Sequence, residues 1–331
     1  MSEWVAAEDP VGPNPHGLPL EPAAQAFVEA SEALPYLYRL PVAQARRMME
    51  ELQSSSAARP VVQEQTHLLQ TGAHGPIAVR VVRPPGAVGA LPVLVFVHGM
   101  GWVWGNAQTH DRLVRELCIG TGAAVVFPEY DLAPEARYPT ALEQCYATAR
   151  WVAACGGELD LDPTRIAVAG DQMGGTLAAA LTLLAAQRRE FDFCQQVLLY
   201  PATDTDFDTG SYRRFGRGYG MRRIQYQWFW DQYAPDPLDR QLPTVAPLRA
   251  GEDQLRALPP ALVITAEADC LRDEGEAYAR RLREAGVPVL AIRYAGITGG
   301  FAMLETLRGT HAARSALLQV THTLKEAFQT S

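Results

Sequence analysis

Residues 165–186 read "RIAVAGDQMGGTLAAALTLLAA". The run RIAVA has the length and apolar character of a strand, GDQMGG at 170–175 is a glycine-rich turn, and the small apolar residues after it favour a helix. Strand, tight turn and helix in that order give the frame G-x-S-x-G, which presents its central residue at the tip of a sharp bend. Here the centre is Gln172, flanked by Gly170 and Gly174. Without a Cβ at either glycine, strand and helix can approach closely.

Outward from this turn, strand-like apolar runs alternate with helix-like stretches. The strands are PVLVFV, AAVVFP, RIAVAG, QQVLLYP, PALVITAE and PVLAIRYAG. Helices are expected to begin near Ala107, Pro139, Gly174 and Asp273, with a last one from about Ala302 to Phe328. Apolar strands separated by helices indicate a mostly parallel, doubly wound α/β sheet covered on both faces. VVQEQTHLLQ and PIAVRVVRP, joined by TGAHG, read as a hairpin ahead of it. Before that, EPAAQAFVEASEAL and PVAQARRMMEELQ show helical apolar spacing with proline at or near their starts. The first ten or fifteen residues, rich in Pro, Gly and acid, are expected to fray. Residues 1–55 therefore read as N-terminal cap helices and 56–331 as the α/β domain. The polar, aromatic and Pro-rich excursion 203–251 reads as a lid insertion over the carboxyl ends of the strands.

The chain has 331 residues, 48% of them hydrophobic, and a net charge of −8. One large core is within reach, and the acidic balance argues against nucleic acid, which needs clustered cations to displace counterions. The densest basic run, SYRRFGRGYGMRR, lies among acidic residues and reads as a solvated lid segment. No basic segment followed by an apolar stretch marks the N-terminus as a leader, and no apolar run approaches a membrane span, so a cytoplasmic protein is expected. Cys118, Cys145, Cys155, Cys194 and Cys270 are odd in number and lack C-x-x-C spacing, as reduced thiols would be. No metal-ligand spacing and no phosphate-binding glycine motif appear, so neither a metal nor a cofactor is expected. The expected partner is a small-molecule ligand or substrate, with a homodimer open.

Five motifs follow in order: HGMGW at 98–102, YDLAPEARYP at 130–139, GDQMGG at 170–175, EADCLRDEG at 267–275 and GITGGF at 296–301. Together they resemble the bacterial hormone-sensitive-lipase family of α/β-hydrolases, whose pattern is H-G-G-G-W, Y-R-L-A-P-E, G-D-S-A-G-G, D-P-L-R-D-E-G and G-x-x-H-G-F. The resemblance runs from about Val61 to the C-terminus and implies the α/β-hydrolase fold. It places the catalytic acid at Asp269, the nucleophile position at Gln172 and the histidine position at Gly299. Met100, Asp131, Met173 and Cys270 also depart from the pattern. Oxyanion donors are implied at the backbone amides of Gly99, Met100 and Met173, and Trp102, Asp171, Tyr219, Tyr226 and Trp230 are expected around the pocket. His98, in the oxyanion loop, reads as structural, and His311 and His322 as surface residues of the last helix.

Acyl transfer through a triad needs an attacking oxygen and an imidazole to carry its proton, and loss of either costs about 10⁶ in kcat. The amide nitrogen of glutamine is not basic. The reading from sequence is therefore that esterase activity is not expected. The favoured alternative is a repurposed lyase, cyclase or isomerase acting on a carbonyl-bearing small molecule, as in biosynthesis. A binding-only pseudoenzyme and an engineered carboxylesterase variant stay open. Gln172 is further expected to fill the space left at Gly299 and to donate to Asp269.

Overall fold

The computed structural model describes residues 11–32 and 35–330. The stretch expected to fray lies outside the described residues up to residue 10, and so do the last two residues of the first expected helix. Eight strands form one sheet: β1 (Gln63–Gln70), β2 (Pro76–Arg83), β3 (Leu91–Val97), β4 (Ala124–Glu129), β5 (Leu161–Asp171), β6 (Gln195–Leu199), β7 (Ala261–Ala268) and β8 (Val289–Thr298). Their order is β1-β2-β4-β3-β5-β6-β7-β8. β2 pairs antiparallel with β1 and β4, and every later neighbour is parallel.

The residue pattern explains this order. β6, QQVLL, is buried along its whole length, as a central strand covered on both faces must be. At the two edges, β1 has no buried residue and β8 is buried only at its last two.

Two helices come first, α1 (Pro22–Ser31) and α2 (Val42–Gln53). Three more alternate with strands, α3 (Asp111–Thr121), α4 (Thr140–Cys155) and α5 (Met173–Arg188). The 203–251 stretch holds α6 (Gly210–Phe215) and α7 (Arg223–Tyr233), after which come α8 (Glu252–Arg256), α9 (Arg272–Glu284) and α10 (His311–Thr330). α5 is buried at every residue from Met173 through Ala185, which its all-round apolar and small composition permits.

Two helix starts differ from expectation. α3 begins at Asp111 instead of near Ala107, because Asn106 Oδ1 accepts from the backbone amides of Gln108 and Thr109 and holds that stretch in a turn. α10 begins at His311 instead of about Ala302. Thr310 Oγ1 accepts from the Ala313 amide as an N-cap, and the Glu21 carboxylate accepts from the amides of His311 and Ala312.

Three polar ties hold the N-terminal helices over the carboxyl ends of the strands. The Glu21 contact is one. Arg46 of α2 donates to the carbonyls of Val103 and Ala133 and pairs with Glu135. Arg222, at the start of α7, donates to Glu32 and to the Tyr36 hydroxyl. Among the described residues the five cysteines form no disulfide with one another. Among the described residues no helix is long and apolar enough to cross a membrane.

Candidate functional site

The turn after β5 is held by the glycines around it. A Cβ on Gly170 would run into the Gly174 carbonyl, and one on Gly174 into the Val97 carbonyl. Gln172 sits at φ 53°, ψ −117°, a conformation rare for a side-chain-bearing residue. It is pinned there by its own amide, which donates to the Leu199 carbonyl at 2.8 Å, and by its carbonyl, which accepts from the Gly175 and Ala202 amides. The HGMGW loop lies beside it, with Met100, Gly101 and Trp102 all at positive φ. Gly101 is required there, since a Cβ would enter the Phe229 ring.

His98 is fully packed, stacked on Tyr130 at 4.2 Å between ring centroids, with Nδ1 at 3.1 Å from the Gly99 carbonyl. Burial, helped by the neighbouring His110, pushes its pKa well below the usual histidine value, so the ring is neutral. It is a structural group.

The Gln172 carboxamide does not donate to Asp269 as expected. Its Oε1 accepts from the Met100 amide at 3.0 Å, and its Nε2 donates to the Tyr226 hydroxyl at 3.4 Å. Held by these two partners, the amide leaves Asp269 unserved. The expected trio of oxyanion donors is also altered. Gly99 donates to Asp171 Oδ1 at 2.9 Å, and His110 Nε2 lies 3.3 Å from the same oxygen. The Met100 amide is engaged by Gln172. Met173 opens α5, so its amide is one of the orphan donors of a helix N-terminus.

Asp269, at the end of β7, is 3% exposed. Its Oδ1 accepts from the Leu271 amide at 3.1 Å, while Oδ2 has no hydrogen-bond partner. Burial pushes its carboxyl up to about 7, against smaller lowering contributions from the Leu271 amide, the Tyr226 hydroxyl and Arg272. Gly299 stands directly against it: a Cβ there would lie 2.6 Å from Oδ2.

A cavity of about 560 Å³ has Met100, Asp171, Gln172 and Gly299 among its lining residues, and Asp269 lies behind Gly299 outside that lining. Its other walls come from α1, α2 and α7, through residues such as Phe27, Met48, Met49 and Phe229. Apart from Asp171, none of the described lining side chains is charged. Of the five expected pocket residues, only Asp171 lines it. Trp102 is stacked on Tyr233 at 4.2 Å and edge-on to Trp230 at 4.7 Å, Tyr219 packs against Phe215, and Tyr226 lies buried behind Gln172. The aromatic residues of α7 face inward and bind the helix to the HGMGW loop, leaving Phe229 and Gln225 to face the cavity. The reading from sequence missed the α1 and α2 lining and His110. The Met48, Met49 and Leu52 face of α2 is visible as apolar spacing, but spacing does not say which surface that face meets. Among the described residues no group of three or more His, Cys, Asp or Glu is placed to hold a metal ion.

A family model described as an alpha/beta hydrolase fold matches residues 94–303. The ethyl acetate hydrolase of Pseudomonas putida is 36% identical over 90% of this chain and 93% of that protein. The carboxylic ester hydrolase LipN of Mycobacterium tuberculosis is 41% identical over 75% of this chain and 67% of its own. The crystal structure of a thermostable esterase from Pseudomonas putida ECU1011 superposes with a TM-score of 0.89 at 41% identity, covering 94% of this chain and 98% of that one. These relatives correct the functional expectation drawn from sequence. That expectation weighed two side chains, Gln172 and Gly299, above the whole chain, which is similar along most of its length to proteins named as ester hydrolases. They point to ester hydrolysis and away from a repurposed lyase, cyclase or isomerase. With its sheet order, its strand–turn–helix elbow and these relatives, the chain belongs to the esterase/lipase family of α/β-hydrolases.

Proposed function

We propose that the protein hydrolyses uncharged, largely apolar carboxylic esters, and that water attacks the ester directly. In this reading the triad is degenerate: Gln172 and Gly299 occupy the places of nucleophile and histidine, and Asp269 is the remaining acid–base group. The observation that carries the reading is the buried Asp269 carboxyl, pushed up to about 7 and set against Gly299 in the floor of an apolar cavity. A carboxylate of that pKa is a better general base at neutral pH than an ordinary aspartate, because proton-transfer driving force follows basicity.

The substrate carbonyl displaces Gln172 Oε1 from the Met100 amide and takes a second donor from Met173 at the start of α5. Water at the Gly299 wall of the cavity reaches Asp269 past this side-chain-free residue and gives it a proton as the water oxygen bonds to the carbonyl carbon. Charge developing on the carbonyl oxygen is held by the two amides. Collapse breaks the bond to the alkoxide, which takes the proton from Asp269. The helices of residues 1–55 and the 203–251 insertion act as the cap that shields this step from bulk water. None of the described lining side chains is cationic, which favours neutral over anionic esters.

Hydrolysis of p-nitrophenyl acetate, butyrate and octanoate tests the reading. The expected result is turnover above the buffer rate that falls by about 10²-fold in Asp269→Asn, the scale of a general-base contribution. Rates at the buffer background with all three esters would overturn it.

A further inference from the structure

Gln53, Asp171, Gln172 and Gln225 are the buried polar side chains of the cavity lining among the described residues. The chain itself occupies the first three. Gln53 donates to the carbonyls of Thr109 and Met303 and accepts from the Glu305 amide. Asp171 accepts from the Gly99 amide, and Gln172 is held between Met100 and Tyr226. Gln225 is left open. It is 7% exposed, its Nε2 reaches only Met221 Sδ at 3.5 Å, and no described group donates to its Oε1. A thioether sulfur is a weak acceptor, so both ends of this carboxamide lack an oxygen or nitrogen partner in a largely apolar wall. A buried polar group in that state is costly until something satisfies it.

Gln225 lies one turn before Phe229 on α7, and the Phe229 ring fills the space that a Cβ on Gly101 would enter. One helical turn rises about 5.4 Å, so a ligand group that meets Gln225 is separated from a carbonyl at Met100 by a spacer of several bonds. A carboxamide presents a donor and an acceptor side by side. The group that matches both is an amide with its N–H and C=O on one edge.

We propose that Gln225 is a specificity residue of this cavity and recognises a primary or cyclic amide on the ligand, Nε2 donating to the ligand carbonyl and Oε1 accepting from the ligand N–H. On the hydrolase reading above, the acyl chain of the ester carries this amide; recognition of the amide does not depend on that reading. A site built to hydrogen-bond a ligand N–H selects against the isostere that lacks it. In apolar surroundings with no partner the order is reversed, because the amide is then the costlier group to bury.

Heptanamide and 2-octanone match in size and differ in an amide NH₂ against a methyl group. Calorimetric titration of the full chain and of Gln225→Leu with each compound tests the site. Saturable heptanamide binding, at least about tenfold tighter than that of 2-octanone, with the difference lost in Gln225→Leu, is the result expected from two hydrogen bonds. Equal or tighter binding of the ketone by the unaltered protein, or no binding of heptanamide, would overturn the proposal without reference to any variant. A preference for the amide that survives in Gln225→Leu would overturn it as well. In parallel, kcat/KM is compared for the p-nitrophenyl esters of 6-carbamoylhexanoate and 7-oxooctanoate. A preference of about tenfold for the carbamoyl ester, expressed in KM, is expected; equal values would overturn the placing of the amide on the acyl chain. Heptanamide binding without turnover of either ester would sustain the site and defeat the hydrolase reading; turnover of both esters without heptanamide binding would do the reverse.

Discussion

Gln172 Oε1 accepts a hydrogen bond from the Met100 backbone amide at 3.0 Å, so in the proposed reaction the protein's own carboxamide has to give way to the ester carbonyl. Binding of substrate then requires exchange of one hydrogen bond for another. Replacing the residue by Gln172→Ala frees the amide and removes the exchange. A net hydrogen bond of about 1 kcal/mol corresponds to roughly a fivefold gain in kcat/KM for p-nitrophenyl butyrate. Steady-state kinetics checks this, and a fall in kcat/KM would instead give the carboxamide a part in the chemistry.

The pH dependence follows from Asp269. In the proposed reaction its carboxylate is the active form, and its carboxyl is pushed up to about 7 by burial, so kcat/KM is expected to rise with pH through about 7 and then level off. A pH–rate profile of the unaltered protein, with Asp269→Asn as the comparison, reads this directly. A profile flat from pH 5 to 8 would remove Asp269 from the reaction.

The same shift has a sign in stability. The carboxyl titrates near 3.9 in the unfolded chain and at about 7 in the folded one, so between these values the folded state binds more protons. Asp269 therefore contributes stability that is fully present below about pH 4 and is lost as pH rises through about 7. The loss is about 4 kcal/mol at most. Urea unfolding at pH 5 and pH 8 is expected to show a smaller pH difference in Asp269→Asn than in the parent. An unchanged difference would mean that the carboxylate is already satisfied at neutral pH.

Most of the sheet was legible in the sequence because strands buried on both faces are written as unbroken apolar runs and helices as small or amphipathic ones. The elbow was legible for a sharper reason: Gly170 and Gly174 each stand where a Cβ would strike backbone. Asp269 and its place beside position 299 followed from motif order. What the sequence did not carry was side-chain direction. Gln172 has one short carboxamide and several partners within reach, and the Met100 amide with the Tyr226 hydroxyl won over Asp269. The aromatic residues of α7 suited either a pocket wall or a packed interior, and the structure divides them: Trp230 and Tyr233 pack on Trp102, while Phe229 lines the cavity. The start of α3 moved because Asn106 holds the residues before it in a turn, and that of α10 because Thr310 and the distant Glu21 cap it, the latter a contact between chain segments far apart in sequence.

Gly174→Ala tests the packing at the elbow. The added methyl group meets the Val97 and His98 backbone, which cannot give way without moving β3 or α5. Overpacking against backbone is expected to destabilise the fold by about 3 kcal/mol or more. Chemical denaturation measures it, and a loss under 1 kcal/mol would show that the strand and helix are less closely fitted.

Introducing both Gln172→Ser and Gly299→His supplies an attacking oxygen and a proton carrier. The new histidine Cβ would lie 2.6 Å from Asp269 Oδ2, so the carboxylate has to rotate away before the imidazole can sit beside it. The double variant is expected to gain at least 10²-fold in kcat and to become sensitive to a phosphonate ester that leaves the parent untouched. Gain of activity without phosphonate sensitivity would show that the added groups do not work as a nucleophile and base.

Direct attack by water is tested most closely by mixing excess protein with p-nitrophenyl butyrate, following nitrophenol release, and quenching samples for intact-protein mass. Nitrophenol release without an initial burst, dependent on Asp269, with the protein mass unchanged at every time point, is the predicted result. A butyryl adduct on the chain, or release no faster than in buffer, would contradict it.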